Sequence, residues 1–109
     1  MSGSDSSGLS GPATGGSAAS PCESLRLERI LEAPVPGVAD LLTDGDVLQV
    51  VLRDEQPPLV VAVDQAGQDA GGIVPTGQLI DCLRQGFRFE AEVTNRNGGA
   101  IRVQVRAVP

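Results

Sequence analysis

Few residues in this chain are spaced for chemistry. Asp40, Asp44 and Asp46 lie close together, and Asp44-Gly45-Asp46 has the outline of a calcium-loop start. An EF-hand needs oxygen ligands at fixed offsets. This stretch does not supply them and reads as two turn-formers flanking Gly45. The glycine doublets Gly71-Gly72 and Gly98-Gly99 fit neither GxGxxG nor the P-loop, and read as turn or bulge residues. Cys22 and Cys82 cannot fill four zinc positions without His. The remaining chemistry is guanidinium: all eight basic residues are Arg. Residues 84–109 hold five Arg against two acids, whereas residues 1–83 hold three Arg against twelve acids. Arg88, Arg96, Arg102 and Arg106 are therefore the candidate partner-binding residues, suited to an acidic protein or a nucleic acid.

What is missing narrows the function further. The chain has no His, no Lys, no Trp and no Tyr, and only two aromatic residues, Phe87 and Phe89. No imidazole or amine is present to activate Cys22, Cys82 or a serine, so the expectation is a non-enzyme without metal or cofactor. The shortage of aromatics removes stacking platforms for single-stranded bases. The net charge of −6 disfavours non-specific attraction to nucleic acid or an anionic membrane. No apolar stretch approaches the ~18 residues of a membrane span, and no basic-then-apolar leader marks secretion. The expected location is the cytoplasm. There, two reduced thiols are the default for Cys22 and Cys82, with a disulfide between them as the alternative if the first strand passes the helix. The Arg-only, Ala/Gly/Val-rich composition associates with a GC-rich, bacterial gene.

These groups must be held by one small domain, since 109 residues suffice for no more. Residues 1–21 are expected to be a disordered Gly/Ser-rich tail: twelve of the first twenty residues are Gly or Ser, too little apolar surface to offset ordering entropy. The domain spans residues 22–109. Ser24–Leu31 alternates as a strand. Val38–Leu42 reads as a helical turn with Val38, Leu41 and Leu42 inward. Val47–Arg53 is a β-branched run expected to be largely buried, and Leu59–Val63 and Ala70–Val74 are further strands. The Gly pair in the last of these permits a bulge or a close backbone approach. Thr76–Gln85 is the one predicted α-helix, capped by Thr76 and stopped by Gly86, with Leu79, Ile80 and Leu83 on its apolar face. Phe87–Thr94 and Ile101–Ala107 alternate around an Asn97-Gly98-Gly99 turn as an antiparallel hairpin. Its wet face carries Arg88, Arg102 and Arg106 beside Glu90 and Glu92, placed to pair across strands. The sum is a mainly β domain, a small barrel or strongly curved antiparallel sheet of about six strands with one helix.

Residues 45–80 resemble the HIRAN domain, a small β-barrel found alone or fused to DNA-processing enzymes. The shared features are Gly45-Asp46-Val47-Leu48, Leu52-Arg53-Asp54-Glu55, Val61-Ala62-Val63, Gly67 and Gly71-Gly72-Ile73-Val74-Pro75. Gln56-Pro57-Pro58 stands where that family carries Asn-Pro-x-Asp. The resemblance implies a nucleic-acid-binding module acting through the Arg face. The stretch from Cys22 to Val105 is also similar to small bacterial proteins of unassigned role that share a Gly-Asp-x-Leu, a Leu-x-x-Cys helix and a Gly-Gly hairpin. Small size, acidity and missing catalytic groups favour the other expectation, an accessory protein-interaction module with a protein partner.

Overall fold

A computed structural model describes residues 20–109. The tail read over residues 1–21 therefore lies outside the described residues up to residue 19. Ser20 and Pro21 belong to the folded unit. Ser20 Oγ accepts the Cys22 amide at 3.2 Å and Glu23 returns a carboxylate to the Ser20 amide at 3.2 Å, with Pro21 in the first turn. This capping box builds a short helix, α1 (Pro21–Ser24), that the strand reading of Ser24–Leu31 missed. The strand itself, β1, spans Arg26–Ile30.

The remaining strands are β2 (Val47–Arg53), β3 (Leu59–Val63), β4 (Asp69–Ile73), β5 (Phe89–Asn97) and β6 (Ala100–Ala107). They form one antiparallel sheet in the order β1-β6-β5-β2-β3-β4, curled into a half-barrel. Alternation gives the sheet its inner face: Leu48, Val50, Val60, Ala62, Phe89, Ala91, Val93, Ile101, Val103 and Val105 are all buried. Each buried aliphatic side chain of this kind contributes roughly 1.5–3 kcal/mol.

The seam of the curl is closed by three contacts. Just beyond β1, Glu32 exchanges backbone hydrogen bonds with Gly72 of β4 at 2.8 and 2.7 Å. The Val35 amide donates to the Ala70 carbonyl at 2.9 Å. The Arg29 side chain donates Nε to the Val74 carbonyl at 2.8 Å. Gly71 allows this approach, because a Cβ there would lie 3.2 Å from both the Glu32 carbonyl oxygen and the Leu31 Cβ. Gly71 thus has the close-approach role expected of the glycine doublet, and the outer edge of β4 is covered rather than left as an open template.

α2 (Gly77–Arg84) matches its sequence signals. Thr76 Oγ1 accepts the Leu79 amide at 3.1 Å, and Gly86 takes φ +97°. Leu79 is fully buried, with Ile80 and Leu83 packed on the same core. Cys82, on this helix, is joined to Cys22 of α1 by a disulfide (S–S 2.07 Å). This corrects the default of two reduced thiols. α1 packs against α2 in space, a juxtaposition set by tertiary topology rather than by local pattern.

Two local readings also change. Residues 39–41 form a 3₁₀ helix, so Ala39 and Leu42, three apart, share the inward side, and Leu41 is 78% exposed. The α-type spacing that turned Leu41 inward does not apply. β2 is not buried on both faces. Leu48 and Val50 face the core, whereas Val47 and Gln49 are exposed and Val51 half-buried. An antiparallel sheet with one wet face requires that alternation.

Candidate interaction surface

The outer face of the sheet is read row by row from the strand register. One row runs Arg26, Arg106, Glu90, Gln49 and Val63 across β1, β6, β5, β2 and β3. The next runs Glu28, Gln104, Glu92 and Val47. Arg106 therefore has Glu90 beside it and Glu92 on the diagonal. It donates Nη2 to Glu90 at 2.9 Å and Nη1 to Glu92 at 2.5 Å. Both carboxylates hold its guanidinium above its ordinary pKa, Glu92 foremost. Of the cross-strand pairs expected from the sequence, those of Arg106 are formed, and they neutralise the most central Arg of the hairpin, whereas Arg88 and Arg102 do not pair with Glu90 or Glu92.

The other candidate residues scatter. Arg96 leaves the outer face because a bulge between Val93 and Asn95 shifts the alternation, placing it in the row of the buried Ile101. From there it donates Nη1 to the Ala39 carbonyl at 2.7 Å and to the Leu42 carbonyl at 2.8 Å, with Asp40 at 3.8 Å. It clamps the 3₁₀ turn to the sheet. Arg102 is half-exposed, and its nearest carboxylate is Glu28 at 4.0 Å. Arg88 is exposed and lines a separate hollow with Phe87, Gln49 and Glu90. The four residues do not form one continuous cationic face.

The β2–β3 half of the same face differs in character. Val51 and Val61 form a half-buried cross-strand pair, and Val47 and Leu59 are 42% and 46% exposed. Arg53 bounds this strip by a bidentate pair with Asp69 at 2.6 and 2.7 Å. The hydrogen bonds from Arg53 hold the Asp69 carboxyl below the usual carboxylate range, with desolvation opposing.

At the Val47 end the strip runs into a groove of about 430 Å³ between the 3₁₀ turn and the β3–β4 turn, lined by Val38, Leu41, Val47, Asp46, Asp64 and Gln65 among others. Its carboxylates are fixed by backbone amides. Asp46 accepts Thr43 N–H at 2.9 Å, which settles Asp44-Gly45-Asp46 as a turn, with Gly45 at φ +94°. Asp64 accepts the Ala66 and Gln68 amides at 2.9 and 2.8 Å. The sequence signal for this apolar surface was present in the β-branched Val47–Arg53 run, but that run was read as interior.

Among the described residues no group of three or more His, Cys, Asp or Glu is placed to hold a metal ion, and no helix is long and apolar enough to cross a membrane. No known protein family, curated protein or solved structure matches this chain.

Proposed function

We propose that the domain is a non-catalytic protein-interaction module, and that its contact surface is the β2–β3 outer face rather than the Arg-bearing hairpin. The observation that supports this reading is the division of the outer face. Arg106 is matched by Glu90 and Glu92, whereas on β2 and β3 Val47 and Leu59 are exposed and Val51 and Val61 half-buried, with Gln49, Glu92 and Arg53 around them. Apolar side chains rimmed by polar ones are the common anatomy of a protein contact. The HIRAN-like, nucleic-acid reading is the weaker alternative, because of the four candidate residues Arg96 and Arg106 are engaged within the fold and only Arg88 and Arg102 remain toward solvent. The buried Cys22–Cys82 disulfide favours an oxidising compartment over the cytoplasm expected from the sequence.

The test is capture of a reproducible protein partner by the immobilised full chain, compared with a Val47→Asp/Leu59→Asp variant. Both positions are exposed, and a circular dichroism spectrum of the variant checks that the fold is retained. The expected result is capture by the native chain and loss in the variant. Failure to capture any protein would overturn the reading, as would binding of end-containing DNA that weakens steeply with salt and is lost in Arg102→Ala/Arg106→Ala.

A further inference from the structure

We propose that the groove at the Val47 end of the sheet receives an aliphatic side chain from a cationic segment of a protein partner, one flanked by Lys or Arg. The inference rests on the interaction-module reading and names the chemistry of the partner.

Shape and charge point to the same occupant. Val38, Leu41 and Val47 give the groove an apolar wall, and Leu41 stands 78% exposed among the described residues. The volume of about 430 Å³ is near the lower end of ligand-holding pockets, room for roughly one or two aliphatic side chains. Two carboxylates, Asp46 and Asp64, line the groove and no basic residue does. Asp46 and Asp64 accept hydrogen bonds from backbone amides, which orient the carboxylates without cancelling their charge. The one guanidinium that approaches, Arg96, is directed at the Ala39 and Leu42 carbonyls and lies 3.8 Å from Asp40.

A negative rim around an apolar hollow repels phosphate, nucleic acid and anionic lipid, and it repels a second copy of the same groove. A basic segment with a central aliphatic residue satisfies both parts at once. Its apolar side chain takes Leu41 and Val47 out of water, and its cationic flanks meet the Asp46 and Asp64 carboxylates.

The test is an amide chemical-shift titration of the isotopically labelled full chain with the peptide acetyl-Arg-Arg-Leu-Leu-Arg-Arg-amide. Two control peptides carry Glu for Arg, or Ser for Leu. The expected result is saturable shifts at residues 38–42, 46–48 and 64–68, absent with either control. Affinity falls several-fold as salt rises from about 50 to about 300 mM, where the Debye length shortens. Leu41→Arg and Gln65→Arg, both at exposed positions lining the groove, each weaken binding tenfold or more, and their own spectra report that the fold is intact. The proposal is overturned by no shift at millimolar peptide, by equal binding of a control peptide, or by unchanged affinity of Leu41→Arg. Shifts confined to Val51, Leu59 and Val61 would also overturn it, while leaving the interaction-module reading standing. That reading fails instead in the capture and DNA-binding experiments.

Discussion

The seam gives the sharpest test of how the barrel closes. Gly71 and Gly72 are adjacent, yet they face different surroundings. A Cβ added at Gly71 would meet the Glu32 carbonyl oxygen and the Leu31 Cβ at 3.2 Å each. Neither can yield freely. The Glu32 carbonyl is pinned by the Gly72 amide at 2.7 Å, and Leu31 is 3% exposed in the core. Overpacking of this kind costs about 1–3 kcal/mol. The reduced freedom of Ala in the unfolded chain offsets about 0.4–1 kcal/mol. Gly71→Ala is therefore expected to lose about 1–2 kcal/mol, a fall in Tm of roughly 5–15 °C for a domain of this size. A Cβ added at Gly72 meets nothing closer than 3.6 Å. Gly72→Ala has no clash to overcome and should leave Tm unchanged or raise it by a few degrees. Thermal melts of both variants, with hydrogen exchange at the Glu32 and Gly72 amides, check the pair. Equal Tm values, or a reversed order, would refute the account of the glycine doublet as a close-approach device.

Arg96→Ala removes two charge-assisted hydrogen bonds to the Ala39 and Leu42 carbonyls and should cost about 1–3 kcal/mol by chemical denaturation, with Arg96→Lys failing to restore both. Arg106→Ala leaves Glu90 and Glu92 side by side. A loss of roughly 0.5–1 kcal/mol that shrinks when Glu92 is also made Gln would confirm the cross-strand pairing in a double-mutant cycle. Asp69 has a folded pKa below its unfolded value, so its stabilisation is complete above about pH 4 and disappears as the pH falls through the folded pKa. The Tm advantage of the native chain over Asp69→Asn should hold at neutral pH and vanish in acid. A double Cys22→Ser/Cys82→Ser variant loses a cross-link between positions 60 residues apart and should be less stable by about 2–4 kcal/mol; intact mass before and after reduction, differing by two hydrogens, checks the bond in the native chain.

Local signals carried most of the architecture. The β5–β6 hairpin was legible because one face alternates strictly and Gly98 accepts φ +63° in its turn. α2 was legible from Thr76, Gly86 and the Leu79-Ile80-Leu83 face. α1 was legible in principle from Ser20-Pro21-Cys22-Glu23, a capping pattern hidden by the following Leu25/Leu27 alternation. The site was much less legible. A single extra residue between Val93 and Asn95 turns Arg96 to the other face, and nothing in its neighbours marks that bulge. Whether Val47–Arg53 is buried on one face or two depends on what covers the sheet, which is not a property of the run itself. The engagement of Arg106, and the meeting of Cys22 with Cys82, depend on which strands and helices become neighbours in three dimensions.

The pairing of β1 with β6 joins distant parts of the chain, with Leu27 opposite Val105, whereas β2, β3 and β4 follow one another as a meander. β1 is an edge strand bonded along its length to β6 alone, with only Glu32 and Val35 beyond its end tied by their backbones to β4. Its loss would bare the flank of β6 as a template for intermolecular pairing. The Cys22–Cys82 tether, attached just ahead of β1, confines a detached strand to the neighbourhood of its slot and makes rejoining an intramolecular event.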